Sequence, residues 1–447
     1  MGTLIREAAQ LFRVAAPMMA AQGGMVLMGV VDTMVVGRVS AVDVAAVGLG
    51  NNVANIVLAL GVGLAMGTEP FVAQAKGRGD EGRALAWLRQ SVWLSLFVSV
   101  PAALGTLGFP WVFGPLAIED QIAEGATAYV AARVPGHLFC FLFSTYRSFL
   151  SAMGHTQPVL WAVLWTNVAN LLMDLLFVWT FGMGALGVGL ATSLGWVLLF
   201  LLSQRAVRRS FGVAFRWTQI PNGRNRPDFG ELNALVRIGL PVALQFVLEV
   251  GIFAVVAVLV ATLGAIPLAG HQIAITMASL TFMLATGIAA AATARVGFHI
   301  GAETPRLARY VGLVAVGMGV LLMAVGGLTF LLLGTDIARA FAPAEPQVVA
   351  AGRDLLVMAA LFSLSDGVQA VAAGALRGVG DTRFAFGANV VGYWMVGLPV
   401  SWVLGLEWEY GAVGLWWGLV VGLTAVALAL LSRFIILSGR PLSALEA

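Results

Sequence analysis

The sequence has 447 residues, of which 60% are hydrophobic and 11% charged, with a formal net charge of +3. Soluble domains lie nearer to about 45–50% apolar and about 25% charged, so a water-soluble globular fold is excluded and a membrane protein is implied. The small basic excess lies in short segments between apolar runs, which argues against a nucleic-acid-binding role, and Cys140, the single cysteine, rules out an internal disulfide or a thiolate metal cluster.

The amino end, MGTLIREAAQLFRVAAP, sets Arg6 and Arg13 around the start of an apolar run, lacks a small-residue cleavage site and passes into a full-length span. It is expected to be retained. Runs of roughly 20 apolar residues, each enough to cross a hydrocarbon core of about 30 Å as a helix, are expected at 14–36, 46–73, 88–110, 125–147, 158–181, 186–204, 236–262, 268–294, 309–333, 348–376, 384–406 and 412–433. They are continuous rather than alternating, which favours helices over barrel strands. The fold class is an all-α membrane protein with twelve transmembrane helices.

All but four of the 25 lysines and arginines fall on one side of this arrangement, the exceptions being Arg38, Arg133, Arg339 and Arg353 near the other. Loops on that other side carry Glu119, Asp120, Glu124, Glu407 and Glu409. The positive-inside rule then places both termini in the cytoplasm. Residues 205–235 are the long polar, Pro/Gly-containing stretch, and they read as a cytoplasmic linker between an amino-terminal lobe, 1–204, and a carboxy-terminal lobe, 236–447.

The two halves resemble one another. FRVAAPMMAAQ (12–22) aligns with VRIGLPVALQF (236–246) through Pro17 and Pro241. SAMGHTQP (151–158) falls against LRGVGDTRF (376–384) through Gly154/Gly380 and Thr156/Thr382, and GALGVGLATSLGW (184–196) against GAVGLWWGLVVG (411–422). Six spans per half make these parallel repeats, a plan found in transporters whose substrate site lies between the halves.

Four acids fall well inside spans: Asp32 in the first, Asp174 in the fifth, Glu249 in the seventh and Asp366 in the tenth. A charge at the centre of a membrane helix costs about 2.5–3.5 kcal/mol on insertion scales, so such residues face a cavity, pair, or take a proton. The bland alternative is a neutral carboxyl joining two helices by a hydrogen bond. Asp32 lies 15 residues beyond Pro17, roughly 22 Å along the helix and in its outer half, whereas Glu249 is eight residues beyond Pro241, roughly 12 Å and nearer the middle. Asn170 stands four before Asp174, Gln245 four before Glu249 and Gln369 three after Asp366, each amide on its acid's helix face. Such an amide serves equally as glue between helices.

A desolvated carboxyl holds a proton, a sodium ion or an organic cation, one at a time. That exclusion suffices to couple inward ion flow to outward cation flow when the site faces one side at a time. With neither a Walker motif nor a nucleophile elbow in the sequence, the cycle is expected to run on a gradient, and no enzyme is expected.

Weaker features complete the sequence reading. Met18, Met19, Met25, Met28 and Met34 crowd the first span, where thioethers suit a promiscuous site or ordinary packing alike. The matches Gly77–Gly82 and Gly182–Gly187 to GxGxxG follow no expected strand and are set aside. Gly63–Gly67 and Gly297–Gly301 fit small-residue helix packing, and His137, His155, His271 and His299 lack metal-ligand spacing.

These residues resemble the multidrug and toxic compound extrusion (MATE) family over essentially the whole chain. The carriers are AAP…VVDTMVVG and GLPVALQFVLEVG in the first and seventh spans, GVGLAMGTEPFVAQAKGRGD in the second, and the paired SAMGHTQP and ALRGVGDT turns. The resemblance implies twelve helices in two six-helix lobes around a central cleft, and a secondary antiporter exporting amphipathic organic cations against H+ or Na+, with no cofactor. Asp32 resembles the amino-lobe acid implicated in proton coupling and drug release. Glu249 and Asp366 resemble the carboxy-lobe cation site of the NorM-like branch, where Na+ would sit, while Asn170 and Asp174 resemble the amino-lobe pair of the DinF-like branch. Many NorM-like members carry a neutral residue at the Asp174 position. The Glu249/Asp366 pair is the more specific, which favours the NorM-like assignment. Implied with it are a bacterial-type inner membrane, contact with membrane lipids, no nucleic acid and a monomeric state. A lipid-linked saccharide flippase, which would favour a cationic cleft, and an ion channel are the alternative functions.

Overall fold

The computed structural model describes residues 2–37, 40–112, 119–212, 226–440 and 445. Arg38 and, within the expected linker, residues 213–225 with Arg216 and Arg224 lie outside the described residues; 205–211 close one helix and 229–235 open the next.

Among the described residues, twelve helical segments are long and apolar enough to cross a membrane. In chain order the helices are α1 (Gly2–Val36), α2 (Ala41–Met66), α3 (Thr68–Gly77), α4 (Glu81–Gly108), α5 (Asp120–Ala152), α6 (Gln157–Asp174), α7 (Gly184–Phe211), α8 (Phe229–Ala261), α9 (Ala265–Gly301), α10 (Pro305–Phe341), α11 (Pro346–Val379), α12 (Thr382–Asn389), α13 (Leu398–Trp402) and α14 (Gly411–Ser438). The second span is α2 with α3. The fifth is α6 continued by a π-helical turn at Leu175–Thr180, and the eleventh joins α12 and α13 through π-helical turns at Val390–Gly397 and Val403–Glu407. Several helices overrun the expected spans, α1 beginning at Gly2 rather than 14 and α9 running to Gly301 rather than 294. Their polar ends find partners, so the helix need not stop where the hydrocarbon does.

Helix ends follow from local chemistry. Ser40 Oγ accepts from Asp43 N at 2.9 Å and Asp80 Oδ1 from Arg83 N at 2.7 Å, capping α2 and α4. Prolines open α6, α10 and α11 within the first two positions. The paired turns share their backbone: φ is positive at Gly79 and Glu303, at Gly154 and Gly380, and at Gly184 and Gly411. The repeat read from the letters is thus a repeat of conformation, with a left-handed residue at matching turns.

By internal contacts the chain divides into two compact units, Met1–Met19 with Leu244–Ala444, and Ala20–Ala243 with Leu445–Ala447. The divisions fall inside α1 and α8 rather than in the 205–235 linker, so these units differ from the expected lobes of 1–204 and 236–447 by exchanging two half-helices. Small residues permit it. A Cβ added at Gly63 on α2 would meet the Ala243 backbone of α8, and one added at Gly67 would come within 2.8 Å of Gly239 Cα. At the repeat-related position, a Cβ at Gly287 on α9 would meet Met19 N of α1 at 2.5 Å. Lipid tails are as apolar as leucine, so such close backbone packing, rather than escape from water, holds membrane helices together. Polar clasps repeat the pattern. Glu7 on α1 is ion-paired with Arg295 on α9, with His299 Nε2 2.9 Å from its carboxylate, and Glu231 at the start of α8 is ion-paired with Arg83 on α4.

Apolar side chains also face outward, as the exposed row Leu321, Val325, Leu328 and Leu332 on α10 shows. Their three- and four-residue spacing marks one helix face, the face a bilayer covers.

Gly63→Leu is expected to lower the melting temperature of the detergent-purified protein, over-packing costing about 1–3 kcal/mol. The neighbour it strikes is backbone and cannot swing aside. A melt indistinguishable from wild type would show that α2 and α8 do not need this contact.

Candidate functional site

The four intramembrane acids form two clusters, one in each unit. In the unit of Ala20–Ala243, Asp32 on α1 and Asp174 at the last position of α6 lie within hydrogen-bond reach of one another. Both are buried. Thr192 Oγ1 on α7 donates to Asp32 Oδ2 at 3.1 Å while also meeting Val188 O of its own helix at 2.9 Å. Neither oxygen of Asp174 has a fixed protein donor among the described residues, and the buried Asn170 amide, one turn earlier, likewise has no partner on either atom. The helix changes to π geometry directly after Asp174, an irregularity frequent at functional sites.

Arg133, expected in the fourth span near its outer end, is buried on α5. Its Nη1 donates to Tyr129 Oη at 2.6 Å and to Asn51 Oδ1 at 3.3 Å. It is near enough to act on Asp32 through its field without forming an ion pair with it. An arginine held by a tyrosine and an asparagine is a fixed positive neighbour for Asp32, and leaves Asp32 Oδ1 and both Asp174 oxygens for another cation or a proton.

In the other unit, Glu249 on α8 and Asp366 on α11 are buried close together. Gln369, one turn beyond Asp366, brings its amide within hydrogen-bond reach of Glu249. Tyr393, in the π-helical turn after α12, is buried beside both carboxyls, and its hydroxyl has no partner among the described residues. Its ring centroid lies 6.4 Å from that of Phe253, which packs 5.8 Å from Phe362. Trp394 Nε1 donates to Leu248 O at 3.3 Å, tying the π-helical turn to α8. No basic side chain acts on either carboxyl among the described residues. Two carboxyls, an amide and a phenol in an aromatic surround make an all-oxygen set suited to a hard cation. Gln245 is buried one turn before Glu249, but no hydrogen bond joins it to the pair among the described residues.

The paired sites, the repeated turns and the exchanged half-helices can now be set beside known proteins. The MatE family model matches residues 17–176 and 241–403. The chain belongs to the MatE family, the multidrug and toxic compound extrusion proteins. The two matched stretches of this MatE chain open on Pro17 and Pro241, the residues that anchor its internal repeat. It is 35% identical over 98% of its length to multidrug resistance protein MdtK of Yersinia pseudotuberculosis serotype O:1b, of which it covers 97%. MdtK of Yersinia pestis matches to the same degree, 35% identity over 98% of the chain. Among solved structures it superposes on an outward-facing multidrug resistance MATE transporter of the MOP superfamily with a TM-score of 0.88 at 20% identity, covering 98% of this chain and 97% of that one. A mutant of the Vibrio cholerae MATE transporter VcmN superposes with a TM-score of 0.84 at 19% identity over 99% of both chains. These likenesses fix the fold as that of the MATE transporters, an all-helical multi-pass membrane protein.

Asp32, Asn170 and Asp174 come together as one group, and Glu249, Asp366 and Gln369 as another. Thr192 and Tyr393 are missed by sequence reasoning. A signal for Tyr393 exists: in a chain of 25 phenylalanines and 5 tyrosines, a hydroxyl kept in mid-span is an anomaly worth a hypothesis. Tyr393→Phe is expected to keep the fold, since it deletes an unpartnered hydroxyl and leaves the ring, and to weaken cation dependence of transport about tenfold by removing one hydrogen-bonding oxygen. Rates measured against coupling-ion concentration check this; an unchanged half-saturating concentration would remove Tyr393 from the site.

Proposed function

We propose that this chain is a secondary active multidrug exporter of amphipathic organic cations, working by alternating access and driven by entry of protons or sodium ions. The observation that supports it most is that Asp32 with Asp174, and Glu249 with Asp366, are buried acid pairs with no lysine or arginine hydrogen-bonded to them among the described residues. A buried charge with no basic side chain paired directly to it is costly until something neutralises it. A proton, a metal cation and an organic cation compete for that task, so loading one means releasing another. A carrier exposing the site to one side at a time converts this competition into antiport.

In this reading Asp32, Asn170 and Asp174 form the amino-terminal ion or drug site. Glu249 and Asp366, with Gln369 and Gln245, form the carboxy-terminal cation site, where Na+ would bind as in the NorM-like branch. The names of the Yersinia relatives support several drugs rather than one. The placement of the arginines favours both termini in the cytoplasm, and the resemblance to the family favours a monomer in a bacterial-type inner membrane and a carrier rather than an enzyme.

The test is efflux of a fluorescent organic cation from proteoliposomes containing the purified protein, under an imposed proton gradient and then a sodium gradient. At least one gradient is expected to drive dye movement against its own concentration. Dye that only leaks downhill under both would overturn antiport, and unitary current steps without dye exchange would make the protein a channel.

A further inference from the structure

The first repeat carries a charged groove that neither acid cluster uses. Arg205, Arg208 and Arg209 are exposed on the last turns of α7, at i, i+3 and i+4, and so on one helix face. Two adjoining grooves, of about 380 and 360 Å³, share Arg205 and Arg209. The larger runs up the opening turns of α6 and is walled by Trp161 and Trp165, which are one turn apart and 58% and 63% exposed. None of the three arginines meets a carboxylate among the described residues, and the sequence from 212 to 227 contains no aspartate or glutamate.

The second repeat provides an internal control. The positions matching Arg205, Arg208 and Arg209 are Ser432, Ile435 and Ile436, and those matching Trp161 and Trp165 are Gly387 and Val391. Arg383 stands at the position matching Gln157, and Arg433 donates from Nε to Asp381 Oδ2 at 2.8 Å and lies over Phe384. At the Asp381 position the first repeat has His155. The same helix pair therefore folds without the arginine cluster and without the tryptophans.

Tryptophan at the end of a membrane helix sits at headgroup level, and basic pockets between membrane helices bind anionic headgroups. We infer that the groove between the start of α6 and the end of α7 is a binding site for an anionic phospholipid: Arg205, Arg208 and Arg209 hold the phosphate, and Trp161 and Trp165 flank the glycerol and upper acyl chains. Zwitterionic lipid offers the same apolar contacts but its ammonium opposes the guanidinium cluster, so selectivity for net negative headgroups follows from the charge.

The test offers delipidated full-length protein mixed vesicles of phosphatidylglycerol and phosphatidylethanolamine, and counts retained lipid by native mass spectrometry. Wild type is expected to keep phosphatidylglycerol selectively, and Arg205→Gln with Arg209→Gln to lose about thirty-fold in that retention, two arginines' worth of headgroup attraction. Arg433→Gln is expected to retain as wild type does. All these side chains are at or near the surface, and an unchanged melting curve in phosphatidylethanolamine alone verifies that the double variant folds. Retention unaffected by the double substitution, equal retention of both lipids, or complete displacement by inorganic phosphate at matched concentration would each overturn a lipid site.

Discussion

Asp32→Asn is expected to reduce gradient-driven efflux roughly 100-fold, near the upper end of typical coupling energies between sites, while leaving the protein folded and able to bind drug. The amide keeps the shape of the side chain, and its oxygen still accepts from Thr192, which now donates to Asp32 Oδ2 at 3.1 Å. What vanishes is the ability to alternate between charged and neutral, and with it the competition between ion and drug. The alternative role, a carboxyl acting as helix glue, makes the opposite prediction, because an asparagine in that position glues equally well. Efflux and dye binding measured on the same preparation separate the two: lost efflux with retained binding supports coupling, and retained efflux removes Asp32 from the mechanism. Arg133 sharpens the expectation. Its guanidinium, held by Tyr129 and Asn51, acts on Asp32 through its field, and with Asp32 neutral that attraction has no charge to act on.

The spans were legible because hydrocarbon thickness imposes a length on every crossing, and the internal repeat because a turn that needs a left-handed residue keeps its glycine, as Gly154 and Gly380 do. The four acids stood out for the same reason: each lies well inside an apolar run, where a charge is costly. Which acids meet was not legible. Asp32 and Asp174 belong to the first and fifth spans, and periodicity within one helix says nothing of which helix lies beside it. Spacing did find Gln369, since an amide three residues from Asp366 shares its face, but the same rule put Gln245 beside Glu249, where no hydrogen bond joins it to the pair among the described residues. Arg133 falls within the fourth expected span, and what the sequence left out is how it is held: Tyr129 and Asn51 supply the hydrogen bonds that let it stay buried. The exchange of half-helices at Met19 and Ala243 leaves a trace that was visible only in part. Gly63 and Gly67 signalled a close helix contact, and the partner they admit, α8, is a tertiary fact.

Glu249→Gln and Asp366→Asn provide the second large effect, and its signature is non-additivity. Two carboxylates in each other's field in an apolar surround repel when both are charged, and no basic side chain offsets that here among the described residues. A bound cation or a shared proton removes the repulsion, so the coupling ion is attracted by the pair as a unit. Either single substitution is expected to weaken cation-dependent stabilisation at least about tenfold, and the double variant to lose little more than the worse single, as contacting residues in one network couple strongly. In the absence of the coupling ion the order reverses: each single variant should melt above wild type, because it deletes one of two like charges from an apolar site. Thermal melts of wild type, both singles and the double, across a series of sodium concentrations and again across pH, supply every number the cycle requires. Losses that simply add would mean two independent carboxyls, and variants that melt below wild type in ion-free buffer would mean the pair is structural glue.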